Sequence, residues 1–122
     1  MNALLWTLQG SLAAIFTASG LAKISQPKDR LIASGQTGVA PFPVPVIRIT
    51  AFCELLGAIG ILVPMLVGVA EFPTPAAAVG YAVVMMGAIA SHAYLREPRN
   101  VAVTVAIFIA AVTVAVGRAF AA

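Results

Sequence analysis

Four side chains could carry chemistry in a chain that is otherwise largely apolar: Lys23, Arg48, Glu54 and His92. Glu54 is the most informative of them, because it lies inside the apolar run of residues 46–63. A run of that length can cross most of a bilayer, and a carboxylate there is costly unless it is paired or lines a cavity. Glu54 is therefore a functional-site candidate, and the first question is which group pairs with it.

The composition determines the class of protein that must position these side chains. Of 122 residues, 61% are hydrophobic and only 9% are charged, whereas a soluble domain has roughly a quarter charged residues. Four apolar segments, at about 3–22, 45–66, 75–95 and 101–120, each approach the ~20 residues that span a membrane as a helix. Isolated strands cannot satisfy their backbone in lipid, so the Val-rich segments are also predicted to be helical. The expected fold class is all-α: a polytopic membrane four-helix bundle forming one domain over residues 1–122.

The distribution of basic residues predicts the orientation. They concentrate in the first and third loops and their flanks: Lys23, Lys28, Arg30 and Arg48, then Arg96 and Arg99. The positive-inside rule places these loops in the cytoplasm and both termini outside. The first segment is expected to be a retained helix, since no Lys or Arg precedes it as in a signal peptide. We interpret the basic charge as topology and contact with anionic lipids, and not as nucleic-acid binding.

Depth along the helices predicts a partner for Glu54. If the second helix starts at Pro45, Glu54 lies ~14 Å into the membrane, near its midplane. Lys23 and His92 fall in the last turns of the first and third helices, on the same side of the bilayer. Gly20, one turn before Lys23, would allow the second helix to approach closely. A Lys23–Glu54 ion pair with His92 nearby is the predicted polar intramembrane site.

Two of the polar residues keep alternative interpretations at this stage. Arg48 is six residues from Glu54 and points to a different face, so we expect its side chain to reach the headgroups, with a contribution to the site as the alternative. His92 is either an interfacial residue or a proton-transferring group.

The cysteine and histidine counts exclude several kinds of site. Cys53 is the only cysteine, which rules out an intramolecular disulfide, a CxxC pair and a cysteine-built metal or iron–sulfur centre. One histidine and scattered carboxylates do not make a metal site, so no metal and no intrinsic cofactor are predicted. Cys53 itself is interpreted as a small buried apolar residue.

Small residues predict the seams between helices, because helices in lipid associate where their backbones come close. The predicted packing residues are Gly20, Gly57, Gly60 and Gly87, with a row on the first helix at Gly10, Ala14, Ala18 and Ala22. Tyr81 is interpreted as an interface anchor or a packing residue, and Met86 as core filler.

Several segments resemble the DoxX-like family of small membrane proteins. Residues 16–24 are similar to that family's FxxxGxxKL pattern at the end of helix one, and residues 54–64 to its ELLGxxGLLLP block. Residues 74–78 and 86–92 are similar to its third helix and terminal histidine. The resemblance implies a four-helix protein of the bacterial inner membrane, with Lys23, Glu54 and His92 on the family's recurrent polar positions.

The resemblance also implies a class of function. Relatives are tied to thiosulfate oxidation by quinone, so we expect an accessory subunit of a membrane redox system that offers a quinone or lipid pocket. A partner would supply the electron chemistry, and the chain alone is not expected to be an enzyme.

Two other functions are kept open. The first is a structural or chaperone-like assembly partner. The second is a small proton-coupled transporter, although there the essential carboxylate would lie in helix one, where this chain has Lys23. With so little mass outside the membrane, the chain is expected to contact lipids and to work as a homo-oligomer or as a subunit of a larger complex.

Overall fold

A computed structural model describes residues 2–68 and 72–120. Four long helices, α1 (Asn2–Ser25), α3 (Val44–Val67), α4 (Pro73–Tyr94) and α5 (Pro98–Phe120), are each long and apolar enough to span a membrane. Between α1 and α3 lie a short helix, α2 (Lys28–Ala33), and a 3₁₀ turn at Thr37–Val39. Within these residues the structure contains no strand, which confirms the predicted all-α class.

The observed helix ends differ from the predicted ones by a few residues. α1 continues to Ser25 and therefore includes Lys23 in regular helix. α4 and α5 begin at Pro73 and Pro98, because proline is accepted in the first turn, where its missing N–H has no partner to lose. α4 ends at Tyr94, shortly before Arg96 adopts a left-handed φ of 59°.

The four long helices form a ring in the order α1, α3, α4, α5, and α5 returns to α1. α1 turns its larger side chains inward, at Leu5, Leu12 and Phe16. Its small residues Gly10, Ala14 and Ala18 are exposed, so the predicted small-residue row is wrong. The centre of a four-helix ring has to be filled, and on α1 Leu5, Leu12 and Phe16 help to fill it, while Gly10, Ala14 and Ala18 lie on the opposite side of the helix.

Glycines at three of the four predicted seams do pack against a neighbouring helix. A Cβ added at Gly20 would lie 2.8 Å from Leu55, one at Gly57 2.6 Å from the Tyr81 ring, and one at Gly60 3.5 Å from Ala77. The fourth prediction is wrong, because a Cβ at Gly87 would meet no atom within 4 Å.

The structure decides one alternative left open by the sequence and corrects two interpretations. Tyr81 was interpreted as an interface anchor or a packing residue, and it is a packing residue, because it is only 2% exposed and lies in the core. Met86 is 59% exposed, so it is not core filler. Cys53 is exposed as well, because the helical turn from the inward-facing Glu54 rotates it toward lipid.

Pro64 lies inside α3 and breaks its hydrogen-bond ladder. Because proline has no N–H, the Gly60 carbonyl loses the donor that residue 64 would provide. The buried Thr74 hydroxyl of α4 donates to that carbonyl at 3.3 Å, and Gln9 of α1 donates to the adjacent Ile61 carbonyl at 2.7 Å. Side chains of neighbouring helices thus satisfy the backbone around a proline in the membrane.

This arrangement gives a first prediction. Thr74→Val removes the hydroxyl, keeps the shape, and leaves the Gly60 carbonyl without that donor. We expect a loss of about 1–2 kcal/mol in the free energy of unfolding, measured in detergent. Thr113→Val is the control, since the Thr113 hydroxyl bonds only the Ile109 carbonyl of its own helix. Equal stability of the Thr74 variant and the parent would show that the freed carbonyl has another donor.

The segment between α1 and α3 is folded around a small core of its own. Leu31, Val39 and Ile47 form a small buried cluster of their own. The Lys28 ammonium donates to the Phe42 carbonyl at 2.6 Å. We call the end of the bundle that carries residues 26–43 and 95–97 the loop face.

Candidate polar site and cavity

An ion pair joins α1 to α3 inside the bundle. Lys23 Nζ lies 2.8 Å from Glu54 Oε1, and the Glu54 side chain is fully buried while that of Lys23 is 13% exposed. Gly20 allows this approach, because α3 packs directly against it. The pairing predicted from helix depth is therefore present in the structure.

The backbone of Glu54 is fixed from a third helix. Tyr81 of α4 donates its hydroxyl to the Glu54 carbonyl at 2.8 Å. The Tyr81 ring stacks on Phe16 of α1 with centroids 3.8 Å apart, and Gly57 leaves the space for its hydroxyl end. Glu54 is thus held by α1 through its side chain and by α4 through its backbone.

Arg48 of α3 contacts the backbone at the end of α1, close to the Lys23–Glu54 pair. Its guanidinium donates to the backbone carbonyls of Lys23 and Gln26, the latter at 2.8 Å, where α1 ends. The last carbonyls of a helix lack partners within it, so this side chain caps α1 from α3. The expectation that Arg48 reaches the headgroups is wrong, because these carbonyls offer it partners inside the protein. Through these backbone bonds, Arg48 helps to position Lys23.

His92 bonds to a different carboxylate. Its Nδ1 lies 2.8 Å from Glu97 Oε1, five residues further along the chain, and no bond joins it to Glu54. The same Glu97 oxygen accepts a hydrogen bond from the Thr37 hydroxyl at 2.8 Å. Hydrogen bonds with His92 and Thr37 lower the pKa of the Glu97 carboxyl, because they favour its ionised form.

Lys23 and His92 nevertheless share a cavity of about 500 Å³. Its polar wall lies toward the loop face, and the remaining wall is mainly apolar. Polar lining residues include Ser19, Lys23, Gln36, Thr50, His92, Asn100 and Thr104. Apolar ones include Phe16, Val46, Ile47, Val84, Met85, Ala88 and Ile107, and Gly87 also lines the cavity.

Besides Val83 of α4, which is 61% exposed, the cavity is lined by exposed side chains at the seam between α1 and α5. These two helices contact each other less than the other neighbouring pairs do. Their close contacts, such as Leu5 against Gly117, lie at the opposite end from the loop face. Ile15 and Val103, which line the cavity from α1 and α5, are 42% and 52% exposed. Part of the cavity lining is thus exposed on the sides of the bundle.

A second polar cluster lies at the end of the bundle opposite the loop face. The sequence analysis did not predict it. Gln9 is fully buried and accepts a hydrogen bond from Arg118 Nε at 2.6 Å. Arg118 also bonds Asn2 at 2.8 Å and lies over the Trp6 ring at 5.3 Å. A lone amide in the first apolar segment was the signal for this cluster. The Gln9 carbonyl and amino groups both have partners, so the cluster ties α1, α3 and α5 together.

Within residues 2–68 and 72–120, no three His, Cys, Asp or Glu side chains come together as a metal ion would require. No curated protein and no solved structure matches the chain. A family model described as the DoxX-like family matches residues 7–116, which is most of the sequence. The matched region contains Lys23, Glu54 and His92, and it covers all four membrane-length helices in whole or in large part. The chain is a multi-pass helical membrane protein that belongs to the DoxX-like family.

Proposed function

We propose that this protein is an accessory subunit of a membrane redox system and binds a quinone in the cavity. The observation that carries the proposal is the cavity itself, at about 500 Å³, with an apolar body and polar groups at one end. Ligand sites have this size and this combination of linings. A quinone, with an apolar tail and a ring bearing two carbonyl oxygens, has the matching distribution of polarity.

The charges around the cavity favour an uncharged head over a phosphate. Lys23 is bonded to Glu54 at 2.8 Å, and His92 to Glu97 at 2.8 Å. Each cavity side chain that can carry a positive charge thus already has a carboxylate partner. Ammonium, imidazole and amide groups can still donate to carbonyl oxygens. An anionic lipid headgroup would have to compete with the two carboxylates.

The chain's own part in such a system is binding and positioning. Lys23 is oriented by Glu54 and by the Arg48 bonds at the end of α1, so it presents its ammonium at a defined place in the cavity wall. A partner protein would carry the electron chemistry. We also propose the bacterial inner membrane as the location, with the loop face in the cytoplasm, because the basic residues of the loops lie there.

Filling the cavity tests this proposal. Gly87 lines the cavity and has open space around it, so Gly87→Phe should fold and should occupy ligand volume. We expect its affinity for the short-chain quinone decylubiquinone, measured by equilibrium dialysis in mild detergent, to fall about tenfold or more. Gly80→Phe is the matched control: it lies on the same helix with open space, but it is not among the residues that line the cavity.

The outcomes separate the proposed function from its alternative. Equal quinone binding by both variants, or none by the parent protein, would contradict a quinone site in this cavity. Co-purification followed by mass spectrometry of proteins and lipids is the second test. A stoichiometric oxidoreductase would support the redox role, whereas an unrelated partner and no bound quinone would favour a structural or chaperone-like role.

A further inference from the structure

A four-residue strip, Gly35–Gly38, covers the cavity at the loop face. Gly35, Gln36 and Gly38 line the cavity directly. Gly35 has a φ of 111°, a conformation that favours glycine, and it starts the strip directly after the short α2 region. The strip therefore separates the polar end of the cavity from the water beyond the loop face.

The two attachments of this strip differ in kind. On the α1–α3 side, the chain before and after it is anchored by apolar burial: Leu31 is fully buried, and Val39 and Ile47 are nearly so. Toward α4 and the turn that follows it, hydrogen bonds from Ser91 to the Gly38 carbonyl at 2.6 Å and from Thr37 to Glu97 at 2.8 Å hold the strip. The side anchored by apolar burial can act as a hinge. The two hydrogen bonds on the other side, Ser91 to Gly38 and Thr37 to Glu97, form what we call the latch.

The charged groups around the latch are those already described. Glu97 accepts from Thr37, faces His92 at 2.8 Å, and lies 3.4 Å from the Asn100 amide. The His92 ring also packs against Gly38, where an added Cβ would lie 3.0 Å from it. One carboxylate thus connects the strip, the end of α4 and the start of α5.

We infer that Gly35–Gly38 is a gate, latched by Ser91 and Glu97, which controls the access of water to the polar end of the cavity. Segments with few buried contacts open locally at low free energy, and this strip is held mainly by exchangeable hydrogen bonds. The ligand would then enter the apolar part of the cavity from the bilayer, while the gate would regulate when its head meets water. That last statement rests on the proposed function; the gate itself does not.

Labelling of a cavity cysteine tests the gate without any ligand. In a Cys53→Ala background, Thr104→Cys places a thiol in the cavity wall. We compare its rate of reaction with a water-soluble, membrane-impermeant maleimide in two variants. The latch variant combines Thr37→Val with Ser91→Ala. The control variant combines Thr113→Val with Ser25→Ala, the same chemical changes at hydroxyls that bond only their own helix.

We expect the latch variant to be labelled about tenfold faster or more, and the control to stay within about twofold of the parent. Hydrogen exchange of the amides at 36–39 should rise in the latch variant, while exchange within α3 should not change. If the double variant does not fold, Thr37→Val and Ser91→Ala are measured singly. Unchanged labelling and exchange in folded latch variants would overturn the gate. The gate test uses no ligand, so its outcome is independent of whether Gly87→Phe changes the affinity for quinone.

Discussion

Lys23→Met alone is expected to destabilise the protein more than Lys23→Met combined with Glu54→Gln. The Glu54 side chain is fully buried, and the Lys23 ammonium at 2.8 Å is its ionic partner. Removing one member of a buried pair leaves an uncompensated charge, at a cost of about 3–5 kcal/mol, whereas replacing both by neutral groups is often nearly neutral. The double variant should therefore recover most of the lost stability and still lack the proposed quinone binding.

A thermodynamic cycle of the parent, the two single variants and the double variant measures this directly in detergent. Glu54→Gln alone should have the smaller effect, since the Lys23 side chain is 13% exposed and can reach water. Arg30→Met is the control, because Arg30 is an exposed cation of the same region. Strict additivity of the two single variants would mean that Lys23 and Glu54 do not form one electrostatic unit.

Gly57→Leu is expected to give the second large effect, a loss of about 3 kcal/mol or a failure to fold. A Cβ at residue 57 would lie 2.6 Å from the Tyr81 ring. The ring cannot easily move away, because Phe16 stacks on it at 3.8 Å and its hydroxyl bonds the Glu54 carbonyl at 2.8 Å. Overpacking of a rigid core forces the backbone apart. The change should therefore also loosen the Glu54 region.

Gly80→Leu is the matched control, since a side chain there meets no atom within 4 Å. The readouts are the thermal midpoint in detergent and the yield of folded protein. Gly57→Ala should give a smaller loss in the same direction. A stable, well-expressed Gly57→Leu protein would show that α3 and α4 are not in contact at this point.

The membrane class, the four long helices and the partner of Glu54 could all be predicted from the amino-acid sequence. Hydrophobic length is a local property, so the four long helices could be placed to within a few residues. The Lys23–Glu54 pair was predictable because both residues lie at known depths from the same side and a buried carboxylate requires a partner. These conclusions depend on distance along a helix axis, which can be calculated from residue numbers because the rise per residue of an α-helix is constant.

The direction in which side chains point around each helix, and the pairs of groups that come into contact, could not be predicted and depend on the packing of the whole bundle. In a uniformly apolar helix, periodicity does not mark the inward face, so Met86, Gly87 and Cys53 were misassigned. The His92–Glu97 bond, the Arg48 cap and the cavity depend on how loops and helix ends fold back on one another. Such contacts arise from packing between segments far apart in the chain, and their geometry exists only once the bundle has formed.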